Sequence, residues 1–315
     1  MPPLSLPFGT FTMDKNKGKK VSTRNEVIAA IDFGSKNFKF LIGSQENGKV
    51  KTKLLKKEAM MLGKELAEND GSISDSKLKK IEKVLNDFKQ YCKKQGIKTI
   101  LGIGTSAVRS AKNNQKLAKL IDSFGISFEI ARGRREGDIG YLAATMGKPN
   151  NLMSDMGSRS FQVSYNKKGE IVSQSLKAGY LIVYDKFYKN CDSFDESEKH
   201  LRKLLKHHIH HLPKHTENFM ALASNSMAEF VTGKPKKEIT NQFISQSQLR
   251  NKVKELKSLR PKKYHELKSK LDKANKILPG LTFIDYLLEF SHHNHVLIVE
   301  SELPVGLIVE YFKKN

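Results

Sequence analysis

The chain has 315 residues, and its 56 Lys and Arg residues against 33 Asp and Glu residues give a net charge of +23. This length exceeds what one hydrophobic core usually needs, so we expect two domains. The 38% share of hydrophobic residues excludes disorder throughout. The sequence has no run of about 18 consecutive apolar residues, the length that a membrane-spanning helix needs, so a membrane-spanning protein is excluded. Cys92 and Cys191 lie far apart, which excludes a disulfide scaffold and favours a reducing cytoplasm. The charge favours a polyanionic partner: nucleic acid, an anionic membrane surface or a phosphate-rich molecule.

The first part of the chain, residues 1–26, is predicted to be a disordered basic tail that contributes charge. It opens with prolines and without a preceding basic segment, so it does not resemble a secretory signal. Met13 precedes a basic stretch and is as plausible a native start as Met1.

From Val27 onward the sequence alternates between strand and helix patterns. Short apolar or alternating runs predict strands at 27–31, 38–42, 50–55, 99–104 and 126–130. Helical spacing of apolar residues predicts helices at about 78–92, 106–124 and 133–146, each followed by a glycine. This βββαβαβα succession predicts an α/β layer fold for a first domain, residues 27–147.

A second domain, residues 148–315, is predicted because the opening pattern repeats. Strands are expected at 152–154, 161–164, 171–176, 219–223 and 295–299, and helices at 193–211, 246–259 and about 264–278. A strand followed by Asp-x-Gly-Ser and a second strand occurs at Asp32 and again at Asp155. One such match is weak evidence for function, but two at equivalent places in two half-chains are much stronger.

The duplicated loop has residue types that suit an anion and a cation together. Its glycine lets the backbone N–H groups approach a ligand closely, and its serine adds a hydroxyl donor. The aspartate at the end of the strand can hold a divalent cation or its bound water. Two such loops facing each other across an interdomain cleft would hold a phosphate chain from both sides.

Two more candidates lie between the loops. Arg109 stands where a strand turns into a helix, which is a good place for a bidentate contact to phosphate. Its alternative role is that of a surface arginine paired with a carboxylate. Glu136 opens the next predicted helix and could act as a general base on water. Considered alone, it fits better as a carboxylate that complements the helix dipole.

Five segments, taken together in chain order, resemble the exopolyphosphatase and guanosine pentaphosphate phosphohydrolase (Ppx/GppA) family of the actin-like ATPase superfamily. The matching segments are 30–38, 104–113, 133–137, 154–160 and 278–280. The resemblance implies two ribonuclease-H-like α/β domains with an interdomain cleft and the hydrolysis of a terminal phosphoanhydride. It also implies magnesium as cofactor, polyphosphate or a phosphorylated guanosine nucleotide as the partner molecule, and a possible homodimer.

The resemblance further implies roles for individual residues. Glu136 corresponds to the catalytic base of the family, and Asp32 and Asp155 correspond to the aspartates that hold magnesium or its waters. The residues implied to contact phosphate are Gly34, Ser35, Lys36, Asn37, Arg109, Gly157, Ser158, Arg159, Ser160 and Ser224.

The chain also departs from the family pattern. Ser158 and Arg159 replace two glycines of the second loop, and Gln162 replaces an acidic residue. Asn225 replaces a glycine and is expected to adopt a left-handed backbone. Arg135 stands where an acidic residue is common, and 304–306 replaces an arginine-glycine turn. These changes leave open a catalytically impaired member that binds polyphosphate or another polyanion.

Two basic features lie outside the family motifs. His207, His208, His210, His211 and His215 could bind a transition metal, but a solvated basic face fits better because no carboxylate or cysteine completes a site. Residues 257–276 carry eight Lys and Arg residues against two acidic ones. Without interleaved aromatic residues this stretch does not predict specific nucleic-acid readout, and it leaves nonspecific binding as a third hypothesis.

Overall fold

The computed structural model describes residues 26–214 and 216–315. The predicted tail, apart from Glu26, and His215 lie outside the described residues. None of the helices in these two ranges is long and apolar enough to cross a membrane.

The strands are β1 (Val27–Phe33), β2 (Asn37–Glu46), β3 (Lys49–Ala59), β4 (Ile100–Gly104), β5 (Ser127–Ile130), β6 (Asn151–Met156), β7 (Phe161–Lys167), β8 (Glu170–Leu176), β9 (Asn218–Leu222), β10 (Phe243–Ser245) and β11 (His295–Ile298). The helices are α1 (Leu62–Glu68), α2 (Asp75–Lys94), α3 (Ser106–Ser110), α4 (Asn114–Ser123), α5 (Gly133–Thr145), α6 (Tyr180–Val183), α7 (Phe194–His208), α8 (Asn225–Thr232), α9 (Lys236–Ile239), α10 (Gln246–Lys257), α11 (Pro261–Lys270), α12 (Ala274–Ser291) and α13 (Leu303–Lys314), with a π-helical turn over Tyr184–Tyr188.

Two mixed sheets share one topology. The first has the order β3-β2-β1-β4-β5, in which β1 to β3 form antiparallel hairpins and β4 and β5 run parallel to β1. The second repeats this order as β8-β7-β6-β9-β11 and adds β10 antiparallel to β11 at its edge. The α/β class and the duplication predicted from the two Asp-x-Gly-Ser loops are therefore confirmed.

Strand β1 shows why these residues form a central strand. Its apolar residues alternate between the two faces of the sheet, as the twofold period of a strand requires. Ala29 and Ile31 pack in the core with α2, whereas Ile28 and Ala30 pack in the core with α13. Because both faces are covered, β1 is an almost unbroken apolar run.

Helices α5 and α13 lie between the two sheets and pack against each other. Helix α13 covers the inner face of the first sheet, and α5 packs on the second sheet. The crossing is close at Gly306, where an added Cβ would lie 2.1 Å from the carbonyl oxygen of Ile139. The division into residues 27–147 and 148–315 stays a prediction, and this packing favours placing α13 with the first sheet.

Two predicted helices have the wrong boundaries. The helix predicted at 106–124 is divided into α3 and α4. Between them, the Asn113 side chain accepts from the backbone N–H of Ile73 and donates to its carbonyl, a contact that draws the segment out of helical geometry. The helix predicted at 264–278 is divided between α11 and α12 at Lys273, whose φ is +64°. Burial of most of α12 allows it to continue through Pro279.

Candidate active site

The two duplicated loops line one cavity of about 380 Å³. The cavity brings together all the predicted site residues except Arg109 and Ser224. These residues are Asp32, Gly34, Ser35, Lys36, Asn37, Glu136, Asp155, Gly157, Ser158, Arg159 and Ser160. Asp32 and Asp155 meet here because each ends the central strand of its sheet, β1 and β6.

Asp32 has a lysine as its cross-strand neighbour. Lys39 of β2 pairs with Asp32 in the β1–β2 register, and its Nζ lies 3.2 Å from Asp32 Oδ2. Asp32 is only 3% exposed, and its Oδ1 has no hydrogen-bond partner among the described residues. Burial raises the pKa of Asp32 above its usual value, and Lys39 only partly opposes this. The free Oδ1 therefore leaves one carboxylate oxygen available to a ligand.

Asp155 occupies the equivalent place in the second sheet, but its cross-strand neighbour is the neutral Gln162. The Gln162 amide donates to Ser160 Oγ at 2.7 Å. Burial raises the pKa of Asp155 to about 6, while the positive charges of Lys39 and Lys276 act against it. The duplicated aspartates thus have unequal surroundings, because only Asp32 has a cation beside it in its own hairpin.

Glu136 lies in the first turn of α5 and is 9% exposed. Its Oε2 has no hydrogen-bond partner among the described residues, and Arg109 Nη1 stands 3.8 Å away from that atom. Burial raises the pKa of Glu136 to about 8, and the negative charge of Asp155 adds to the effect. Burial therefore favours the protonated form of Glu136, and any cation that enters the cavity will favour its ionised form.

The second loop leaves the cavity open despite Ser158 and Arg159. The start of α6 supports this loop: the Tyr180 N–H donates to the Gly157 carbonyl at 3.0 Å, and the Leu181 N–H donates to the Ser158 carbonyl at 3.2 Å. Gly179 makes this approach possible, since an added Cβ would lie 2.2 Å from the backbone nitrogen of Arg159. The loop backbone is held in place, and the exposed Arg159 side chain reaches the cavity.

Two residues predicted to contact phosphate have other partners in the structure, and one backbone prediction is wrong. The Ser224 hydroxyl is buried and donates to the Leu222 carbonyl at 3.0 Å, so it does not line the cavity. Arg109 donates to the Ala131 carbonyl and faces Glu136, which matches its alternative role as the partner of a carboxylate. Asn225 is the first residue of α8, so its predicted left-handed backbone is wrong; the left-handed residue of this loop is Ala223, with φ +55°.

Several charged residues of the cavity were not predicted from sequence. They are Lys39, Lys57, Lys236, Lys276, Glu300 and Glu302. Lys39 could have been found, because it follows Asp32 at the same interval at which Gln162 follows Asp155. The others lie on β3, α9, α12 and the segment between β11 and α13. No local pattern connects these segments with the duplicated loops.

Protein side chains alone do not form a complete metal site in the described ranges: no three His, Cys, Asp or Glu residues come together to hold an ion. The described histidines of the predicted cluster, His207, His208, His210 and His211, are exposed. Mg²⁺ is commonly held by one or two carboxylates, with water and substrate phosphate completing its octahedron. The free Asp32 Oδ1 and the raised pKa values of Asp32 and Asp155 fit such an ion.

Comparison with known proteins agrees with this geometry. The model of the Ppx/GppA phosphatase family matches residues 41–315. The crystal structure of the Ppx/GppA family member from Aquifex aeolicus is similar, with a TM-score of 0.77 at 21% identity over 92% of this chain and 99% of that one. An exopolyphosphatase from Cytophaga hutchinsonii has a TM-score of 0.62 at 19% identity over 92% of this chain and 98% of that one. At these identities the structures show the shared fold of two actin-like domains, and the family match shows that the chain belongs to the Ppx/GppA phosphatase family.

Proposed function

We propose that this protein hydrolyses the terminal phosphoanhydride of polyphosphate or of a phosphorylated guanosine nucleotide. One observation carries the proposal: Asp32, Glu136 and Asp155 line a single cavity together with both glycine-containing loops. Phosphoryl transfer needs little covalent help from a protein; it needs neutralised charge, in-line positioning and a placed water. The cavity has residues suited to each of these tasks.

Cations and backbone donors of the cavity suit the phosphate groups. Lys36 and Asn37 of the first loop and Ser158 and Arg159 of the second line the same cavity. Asp32 and Asp155 would hold magnesium, which would neutralise charge on the transferred phosphoryl group. Lys276 adds a further positive charge near Asp155.

Glu136 is the proposed general base. It would take a proton from the attacking water while the new bond from oxygen to phosphorus forms and the bond to the leaving phosphate chain breaks. A base with a pKa close to the working pH is effective in such a step, and the pKa of Glu136 is raised to about 8. Arg109, 3.8 Å from Glu136 Oε2, would orient the carboxylate and favour its ionised form.

A second candidate function is polyanion binding with impaired catalysis. It is favoured by Lys39, whose Nζ lies 3.2 Å from the Asp32 oxygen that a metal could also use. The neutral Gln162 also favours impaired catalysis, because it supplies no charge beside Asp155. In this case the cavity would bind phosphate chains without cleaving them.

Phosphate release from long-chain polyphosphate and from guanosine pentaphosphate, with magnesium, tests both functions. Wild type is compared with Glu136→Gln and with Asp138→Asn, a control on the same helix whose carboxylate accepts from Ser173. Loss of a general base lowers kcat by about 10²- to 10⁴-fold, so Glu136→Gln should lose release and Asp138→Asn should keep it. Equal release by Glu136→Gln and wild type contradicts the role of the base. If wild type releases no phosphate but binds polyphosphate in a separate titration, the second function is supported.

A further inference from the structure

Glu302 stands between two lysines inside the cavity. Its Oε2 lies 2.6 Å from Lys39 Nζ, and its Oε1 lies 2.6 Å from Lys57 Nζ. Each oxygen of one anion thus binds one ammonium group, which is also how two lysines hold a phosphate. Glu302 precedes α13, and its side chain belongs to the cavity lining.

The two lysines form a pair that requires an anion. Lys39 and Lys57 are directly opposite each other in the β2–β3 register, so their side chains leave the same face of the sheet. Like charges at opposed positions repel each other unless a negative charge lies between them. Burial acts to raise the pKa of Glu302, but the two lysines outweigh it, so the pKa is lowered. Glu302 is therefore a stable anion in the ligand-free protein.

A second glutamate of the segment between β11 and α13 also pairs with a lysine. Glu300 pairs with Lys236, and both residues line the cavity. The segment Glu300–Glu302 thus brings two carboxylates to lysines that face the ligand space. These charges come from the chain itself, and a bound phosphate chain would have to compete with them.

We propose that Lys39 and Lys57 form a phosphate subsite beside Asp32, and that Glu302 occupies this subsite until a phosphate ligand displaces it. The inference rests on the proposed function, since it places a phosphate chain in the cavity. Glu302 acts as a specificity-determining residue, because an incoming anion must break the two ion pairs of Glu302 with Lys39 and Lys57 before it can bind. A chain with several adjacent phosphate charges can do this, whereas an isolated monoanion has little to offer in exchange.

Binding of inorganic tripolyphosphate, measured by calorimetry without divalent cations at constant ionic strength, tests the subsite. Glu302→Gln removes the competing charge and should bind tripolyphosphate roughly tenfold more tightly than wild type. The control is Glu58→Gln, which changes net charge equally but removes a carboxylate paired with Lys56 outside the cavity. Glu58→Gln should bind like wild type.

A double-mutant cycle separates competition from a general charge effect. If tripolyphosphate takes the place of Glu302 at Lys57, the gain from Glu302→Gln disappears when Lys57 is replaced by Met. Lys57→Met alone should weaken binding several-fold relative to Lys56→Met, a comparison that does not depend on the folding of Glu302→Gln. Unfolding curves establish that each variant is folded.

Two results overturn the inference in distinguishable ways. If wild type binds tripolyphosphate and Glu302→Gln binds it equally or more weakly, the subsite is wrong while the proposed function stands. If neither wild type nor any of the variants binds tripolyphosphate, with or without magnesium, the proposed function fails as well.

Discussion

Replacement of Glu136 by Gln is predicted to stabilise the protein while it abolishes hydrolysis. Glu136 is 9% exposed, and its Oε2 makes no hydrogen bond among the described residues. Ionising this side chain in the folded protein is costly because burial removes water from the charge and Asp155 repels it. Glutamine has nearly the same shape and cannot ionise, so the variant avoids that cost.

The size and the sign of the effect follow from the pKa. The ordinary value of 4.5 rises to about 8 in the folded protein, so the folded state holds its proton more tightly than the unfolded state. The contribution of the Glu136 carboxyl group to the stability of the wild-type protein is therefore highest below pH 4.5, and it falls as pH rises from about 4.5 to about 8. Because each pH unit in this window costs about 1.4 kcal/mol, Glu136→Gln should gain on the order of 3 kcal/mol at pH 7 and on the order of 5 kcal/mol at pH 9.

Urea unfolding of wild type and Glu136→Gln at pH 5, 7 and 9, without divalent cations, measures this difference. Glu65→Gln is a control of opposite sign, because a hydrogen bond from Ser74 lowers the pKa of Glu65. The ionised Glu65 therefore stabilises the protein above pH 4.5, and this stabilisation is lost as pH falls through its lowered pKa. Glu65→Gln should therefore destabilise the protein at pH 7. A stability difference between wild type and Glu136→Gln that stays constant from pH 5 to 9 would refute the burial argument.

Three further predictions concern the same cleft and its supports. The kcat/KM for phosphate release should rise with pH as Glu136 ionises, with a midpoint near 8 at low divalent cation and a lower midpoint at high cation; a flat pH profile excludes Glu136 as the base. Gly306→Ala should lower the free energy of unfolding by about 1–3 kcal/mol in urea titrations, because its Cβ would meet the Ile139 carbonyl at 2.1 Å. Gly179→Ala should weaken tripolyphosphate binding in calorimetry, because its Cβ would lie 2.2 Å from the backbone nitrogen of Arg159 and displace the second loop; unchanged affinity would contradict a role of this loop in binding.

Much of the fold and part of the site could be predicted because their signals are local. The buried run of β1, the turn at Gly34 and the repeat at Asp155 lie within short stretches, and strand periodicity made them visible. Asp32 and Asp155 could be placed together because each lies at the C-terminal end of the central strand of a repeated sheet. The role of Ser224 could not be judged, since its hydroxyl turns to a neighbouring carbonyl only in the folded loop.

Helices α1, α6, α8, α9 and α13 and strand β10 were not predicted. Most of the stability of a helix in a protein comes from tertiary packing, which local periodicity does not reveal. Helix α13 illustrates this: it is buried between the first sheet and α5, and Gly306 serves a close crossing that appears only when both helices are in place. Helix α12 also continues past its predicted end at residue 278, because its burial outweighs the helix-breaking tendency of Pro279.

By itself the sequence determined an α/β protein with a duplicated strand-loop-strand unit, two aspartates at equivalent strand ends and a glutamate at the start of a helix. Only the tertiary structure decided that Glu302 lies between Lys39 and Lys57, that Arg109 faces Glu136, and that the pKa of Glu136 is raised to about 8. The physical reason is that periodicity and turn chemistry depend on neighbours along the chain, whereas desolvation and Coulomb interactions depend on burial and on distances between segments remote in sequence.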